Sequence, residues 1–258
     1  MRPIGRLALV LGTVCLGACG ASPAAPSAPV TTTTVTAVTV SSGGNVLAAG
    51  TVGTFTATAT ASDGSTRQVT SGLWSSDATS VATVDGAGTV TAVSPGDATI
   101  SVVFSGVRGS TRISVRANYQ GHWSGNYVVN SCDNTQGFAA AGACSHLFPV
   151  NSGVQYTLEF MLTQSGDRVT GQALFGTLPS PLVPATVAAD GSLQTTSTTN
   201  ATSTATTNHT WSLRITQPGQ MNGTMALVGT DSTVSGSVTV TTTLVNMVLV
   251  GTTVARRR

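Results

Sequence analysis

From Thr54 to Thr60 the chain reads Thr-Phe-Thr-Ala-Thr-Ala-Thr, which puts Phe55, Ala57 and Ala59 on one face and threonines on the other. A period of two suits a pleated strand and cannot form the apolar stripe of a helix. The same alternation recurs at Tyr156, Leu158, Phe160 and Leu162, and again at Val169, Gly171, Ala173 and Phe175. Thr and Val, which dominate the composition, are β-branched; they lose rotamer freedom in a helix and pack well on a sheet. Helical apolar patterns are scarce, and no run of eighteen apolar residues offers the roughly 20 that a spanning helix needs. The fold class is all-β.

The first residues carry export information. Arg2 and Arg6 form a positive segment, Leu7 to Leu16 an apolar one, and Leu16-Gly17-Ala18-Cys19 precedes Gly20. This resembles the lipobox of bacterial lipoproteins. The resemblance implies that residues 1–18 are a signal peptide, that Cys19 becomes the lipidated first residue, and that the lipid ties the chain to a membrane. The absence of aspartate at position 20 implies the outer membrane, in a bacterium that has one. Residues 19–34 then form a spacer in which Pro23, Pro26 and Pro29 recur at every third position. That spacing favours extended polyproline geometry, about 3.1 Å per residue.

With Cys15 removed and Cys19 acylated, Cys132 and Cys144 are left as a pair, expected to be a disulfide in an exported protein. Closing a loop of that length stabilises a fold by about 3 kcal/mol in the chain-entropy model. The rival is a metal site with His122 or His146, which has suitable elements but lacks tight ligand spacing. Without Arg2 and Arg6 the mature chain has nine arginines against nine acids and no lysine. A nucleic-acid partner held by a basic field is thus unsupported. Arg256-Arg257-Arg258 is a local exception, read as a solvated tail or a contact with membrane phosphate.

Residues 35–116 alternate short strands with turn signals: Val35 to Val40, Thr54 to Thr60, Gln68 to Trp74, Val81 to Val84, Thr89 to Val93, Ala98 to Phe104 and Ser110 to Val115. Asp63-Gly64-Ser65, Leu73-Trp74-Ser75-Ser76, Val81-Ala82-Thr83-Val84, Gly88-Thr89-Val90-Thr91-Ala92-Val93 and Gly96-Asp97-Ala98-Thr99-Ile100 follow in order. Together they resemble the bacterial immunoglobulin-like domain, group 2. The resemblance implies a β-sandwich, a place in surface proteins such as adhesins, and Trp74 as the main core aromatic, surrounded by Val84, Val90 and Ile100.

Residues 117–258 have a different rhythm. Gly121-His122-Trp123 opens the region, an Ala- and Gly-rich loop lies between Cys132 and Cys144, and eight or nine strands follow with short turns. They run through 154–164, 168–175, 183–188, 193–198, 209–216, 221–228, 233–240 and 244–254. This is consistent with an antiparallel meander closed into a barrel, which removes exposed edges. Gly121-His122-Trp123 and the turn Gln164-Ser165-Gly166-Asp167 are similar to the start of a lipocalin-like or avidin-like barrel, which implies that Trp123 packs across one end. An eight-stranded barrel can hold one small ligand; Trp123, Tyr127, Phe160, Phe175 and Trp211 would then bind it. Alternatively Leu158, Phe160, Leu162, Phe175, Trp211 and Leu213 fill the interior. A transmembrane barrel needs two aromatic girdles, and aromatics make up only 5% of the chain.

Catalytic constellations are not found. Glu159 alternates with core-facing neighbours, and Asp63, Asp85, Asp167 and Asp190 each adjoin a glycine in a turn. No two carboxylates suggest an acid and base pair, and no nucleophile elbow, phosphate loop or zinc-protease motif occurs. The expectation is a protein without enzyme activity or cofactor. Two readings remain: a surface adhesion or spacer protein with a protein or carbohydrate partner, or a lipid-tethered binder of a small apolar or sugar-like ligand. An apolar cavity of about 300 Å³ in the barrel would favour the second; a packed interior with an exposed aromatic patch would favour the first.

Overall fold

The computed structural model describes residues 32–150, 152–200 and 203–251; the signal segment, Cys19, the proline spacer and the three C-terminal arginines lie outside them. The first body contains β1 (Val35–Ser42), β2 (Val46–Ala48), β3 (Val52–Ala61), β4 (Thr66–Val69), β5 (Leu73–Ser76), β6 (Ala82–Val84), β7 (Thr89–Ala92), β8 (Gly96–Phe104) and β9 (Val107–Arg116). One sheet has the order β1-β3-β7-β6, with β4 also on β3, and the other the order β2-β9-β8-β5. The alternation in β3 does what its sequence dictates: Phe55, Ala57 and Ala59 are buried, and the threonines between them face outward. They meet Ile100, Val102, Ile113 and Val115 of the other sheet across the sandwich, with Val90 of β7 in the same cluster.

Two expectations are corrected here. Gln68 to Trp74 is not one strand, because Ser71-Gly72 breaks it and sends β4 and β5 to opposite sheets. As a result Trp74 sits on β5, at the edge of its sheet, and is only partly buried. The aromatic at the centre is Phe55, 1% exposed. Trp74 lies against the turn before β7, where Gly88 has φ +84° and a Cβ would come within 3.0 Å of the indole and 2.5 Å of the Phe55 carbonyl.

The second body contains β10 (Gly121–Asn134), α1 (Gln136–Ala140), α2 (Ala143–His146), β11 (Tyr156–Ser165), β12 (Arg168–Phe175), β13 (Leu178–Pro181), β14 (Ala185–Thr186), β15 (Ser192–Asn200), β16 (Ala205–Gln217), β17 (Gln220–Asp231) and β18 (Val234–Gly251). The strands pair in the order β13-β12-β11-β10-β18-β17-β16-β15, with β14 also on β12. First and last strands therefore zip together, and the β13–β14 segment meets β15 only through the bridges Leu182–Ser197 and Val187–Leu193. The result is a nearly closed eight-stranded antiparallel barrel.

The two strands expected at 233–240 and 244–254 are one. Nothing in Thr241-Thr242-Thr243 can form a turn, so the ladder to β10 runs on through them. The chain adjusts instead at Asn246, whose φ is +54°, beside a register slip between Ser124 and Asn126. The loop between the cysteines holds two short helices, and Cys132 and Cys144 form the expected disulfide, with Cα atoms 5.5 Å apart. It staples α2 to β10.

Residues 117–120 join the two bodies. The Gln164 side chain accepts from the Tyr119 N–H at 2.7 Å and donates to the Ala117 carbonyl at 3.0 Å. The Asn118 amide donates to the Ala49 carbonyl of the sandwich at 2.8 Å. Tyr119 is wholly buried in the barrel, and its hydroxyl donates to a backbone carbonyl, with Gly191 at 2.8 Å and Leu213 at 3.0 Å within reach. Backbone and side chain of the joint are thus both fixed.

Candidate functional site in the distal half of the barrel

Inward-facing positions alternate along every strand, so the sequence decides what fills the barrel. Near the sandwich these residues are Trp123, Leu158, Phe160, Leu162, Leu193, Leu213 and Met221, each 0–1% exposed. A side chain lining a water-sized void would show surface to it; these do not, and this half is solid. Trp123 closes the end, its indole N–H donating to the Tyr119 carbonyl at 2.9 Å.

The far half is different in chemistry. Phe175, His209 and Trp211 form a near-parallel stack, with Phe175–His209 centroids 4.7 Å apart and His209–Trp211 5.8 Å apart. Phe160 meets Trp211 edge-on at 5.0 Å, and Tyr127 lies between Tyr156, stacked at 5.1 Å, and Phe175, edge-on at 6.1 Å. Burial pushes the Tyr127 phenol up to about 12. Buried hydroxyls occupy further inward positions of the barrel: Ser180, Thr195, Ser197, Thr199 and Thr242. Ser197 accepts from the Trp211 indole N–H at 2.9 Å and lies 3.4 Å from His209 Nδ1. The Ser180 and Thr199 hydroxyls are buried with no hydrogen-bond partner among the described residues.

His209 is 3% exposed, and burial holds its imidazole down at about 4, so the ring is neutral at physiological pH. A neutral ring can donate from one nitrogen and accept at the other. Over this end lies the plug of α1 and α2, whose Phe138 packs against the barrel core together with Cys132, Cys144 and Phe148.

Of the five residues expected to line a ligand site, Tyr127, Phe175 and Trp211 come together here. Phe160 supports Trp211 from the solid half, and Trp123 is a cap at the opposite end. His209 stands out in the sequence only as one of three scattered histidines, and Ser180, Ser197 and Thr199 do not stand out at all, although the alternation Leu193, Thr195, Ser197, Thr199 carries the signal: a core-facing parity that turns polar. His122 and His146 hold no metal-ligating cluster among the described residues; His122 pairs instead with Glu159 at 2.9 Å on the outer surface. The exposed large apolar side chains among the described residues are all aliphatic, among them Leu147, Val150, Val154 and Leu178 at the plugged end.

An unpaired buried hydroxyl costs its desolvation without return. Thr199→Val keeps the shape and removes that cost, so urea melts should show the variant more stable by about 1 kcal/mol. A variant destabilised to that extent would mean that the hydroxyl has a partner in solution.

Residues 34–115 match the bacterial Ig-like domain (group 2) family, and this stretch of the chain is such a domain. No curated protein matches the chain. Among solved structures, domains 5–6 of the S-layer protein SbsC align at 18% identity over 81% of this chain and 98% of that one, with a TM-score of 0.30. Domains 4–9 of the same protein align at 18% identity over 81% and 31%, also with a TM-score of 0.30. Scores this low carry no argument about architecture or role.

Proposed function

We propose that this is a non-catalytic surface lipoprotein of the bacterial cell envelope, in which the Ig-like domain acts as a rigid spacer and presents the barrel as an adhesive head. The observation that carries this reading is the joint at 117–120, where Gln164 clamps the backbone on both sides of Asn118 and Tyr119 is buried in the barrel. A flexible tether would leave such a segment solvated and polar; here Gln164 and the barrel interior hold it. The solid near half of the barrel also favours a head over a container. A protein or carbohydrate partner would meet the outer surface, where the plugged end offers Leu147, Val150, Val154 and Leu178.

The anchor is the testable part. Cys19→Ser removes the acylated sulfur and should move the protein from the membrane fraction to the soluble one, with antibody labelling of intact cells lost in parallel. Retention of the variant in membranes would refute the lipid tether. A second reading, a binder of a small ligand inside the barrel, is favoured by one observation, the buried Ser180 and Thr199 hydroxyls, which have no partner among the described residues.

A further inference from the structure

Trp123 packs at one end of the barrel and α1 and α2 lie against β18 and β10 at the other, and the wall between is not equally knitted all round. Directly after β13 the N–H of Leu182 points to β12, donating to the Gly171 carbonyl at 2.9 Å, whereas the N–H of Val183 points to β15, donating to the Thr196 carbonyl at 2.7 Å. By alternation the residues that should donate toward β15 farther along are 181 and 179, and both are proline. The strand therefore has no donors on that side between its start and Val183. Beyond the Leu182–Ser197 bridge no ladder joins β13 to β15. Extending that bridge along the two antiparallel strands sets Ser180 opposite Thr199, the two residues whose buried hydroxyls lack partners among the described residues. The weakest seam in the wall thus lies directly over its least satisfied polar groups.

We propose that this β13–β15 seam is a lateral entrance, and that the groups behind it bind a small neutral ring-bearing molecule that both donates and accepts hydrogen bonds. Ser180 and Thr199 supply the hydroxyls, and Phe175, His209 and Trp211 supply the stacking face. An uncharged ligand is required, because no charged side chain lies among these groups; they are packed, Ser180 and Trp211 being 0% exposed, so the ligand finds room only as the seam parts. The inference rests on the ligand-binding reading and adds its route and its chemistry.

Phenol is a suitable probe, with one ring and one hydroxyl. Titrated into the isotopically labelled mature chain, it should produce saturable amide shifts at Ser180, Thr199 and His209. Thr199→Val should weaken that binding by about tenfold, the loss of one neutral hydrogen bond. Pro181 and Thr198 are the outward-facing neighbours across the seam. Pro181→Cys with Thr198→Cys should bind less well than the parent even when reduced, because residue 181 regains an N–H toward β15, and should lose the shifts altogether once oxidised, while Thr198→Cys alone binds like the parent. Absence of saturable shifts, or shifts undiminished in the crosslinked protein, would overturn the inference. Saturable shifts confined to other interior residues, such as Leu227 and Val238, would overturn it while leaving the ligand reading standing.

Discussion

Trp211→Ala should lower the unfolding free energy of the barrel by about 3–5 kcal/mol, the largest single-residue effect expected in this half of the chain. The indole is 0% exposed and touches rings on three sides, Phe160, Phe175 and His209. Truncation removes buried apolar surface and leaves a void that close-packed neighbours cannot fill. It also strips the Ser197 hydroxyl of its donor, adding a third poorly satisfied group to Ser180 and Thr199. Thermal melts should register a fall on the order of 10 °C for a domain of this size. Trp211→Phe keeps the stack but not the N–H and should lose clearly less. A melting temperature unchanged in Trp211→Ala would mean that the interior is not packed as described.

Acid should weaken the fold in a window set by His209. Burial holds its folded-state value at about 4, below the ordinary 6.5. Between those two values the unfolded chain binds a proton that the folded chain refuses, so stability rises with pH there and is lost as pH falls from about 6.5 toward about 4. The loss amounts to at most about 3 kcal/mol. The hydrogen-bonded aspartates, Asp63, Asp77, Asp85, Asp97, Asp190 and Asp231, are all held below 3.8 by their partners and act only in more acidic solution. Chemical melts at a series of pH values should therefore show a decline in the parent that is absent from His209→Gln between pH 6.5 and 4. Equal declines in both proteins would place the proton elsewhere.

The architecture was legible because alternation is a local property. Phe55, Ala57 and Ala59 declared their face, as did Leu158, Phe160 and Leu162, and both sets are buried. Strand ends were legible where a glycine or Asx turn stops the pattern and hidden where it does not: the threonines at 241–243 looked like a break and are mid-strand. β13 was missed because prolines argue against a strand, while a strand needing donors on one side only tolerates them. Trp74 was misplaced for a non-local reason, since which strand lies at a sheet edge depends on the whole topology. The distal site was half visible. Aromatic residues advertise burial, whereas a serine or threonine at inward parity looks like any other in a chain so rich in them.

The pairing of β10 with β18 has a consequence for biogenesis. Asn130 donates to the Thr243 hydroxyl across 113 residues of chain, so the wall cannot close until its last strand is available. Contacts so distant in sequence make folding slow and leave strand edges unpaired meanwhile. Until β18 has been made the wall stays open, and the barrel then completes in one late step.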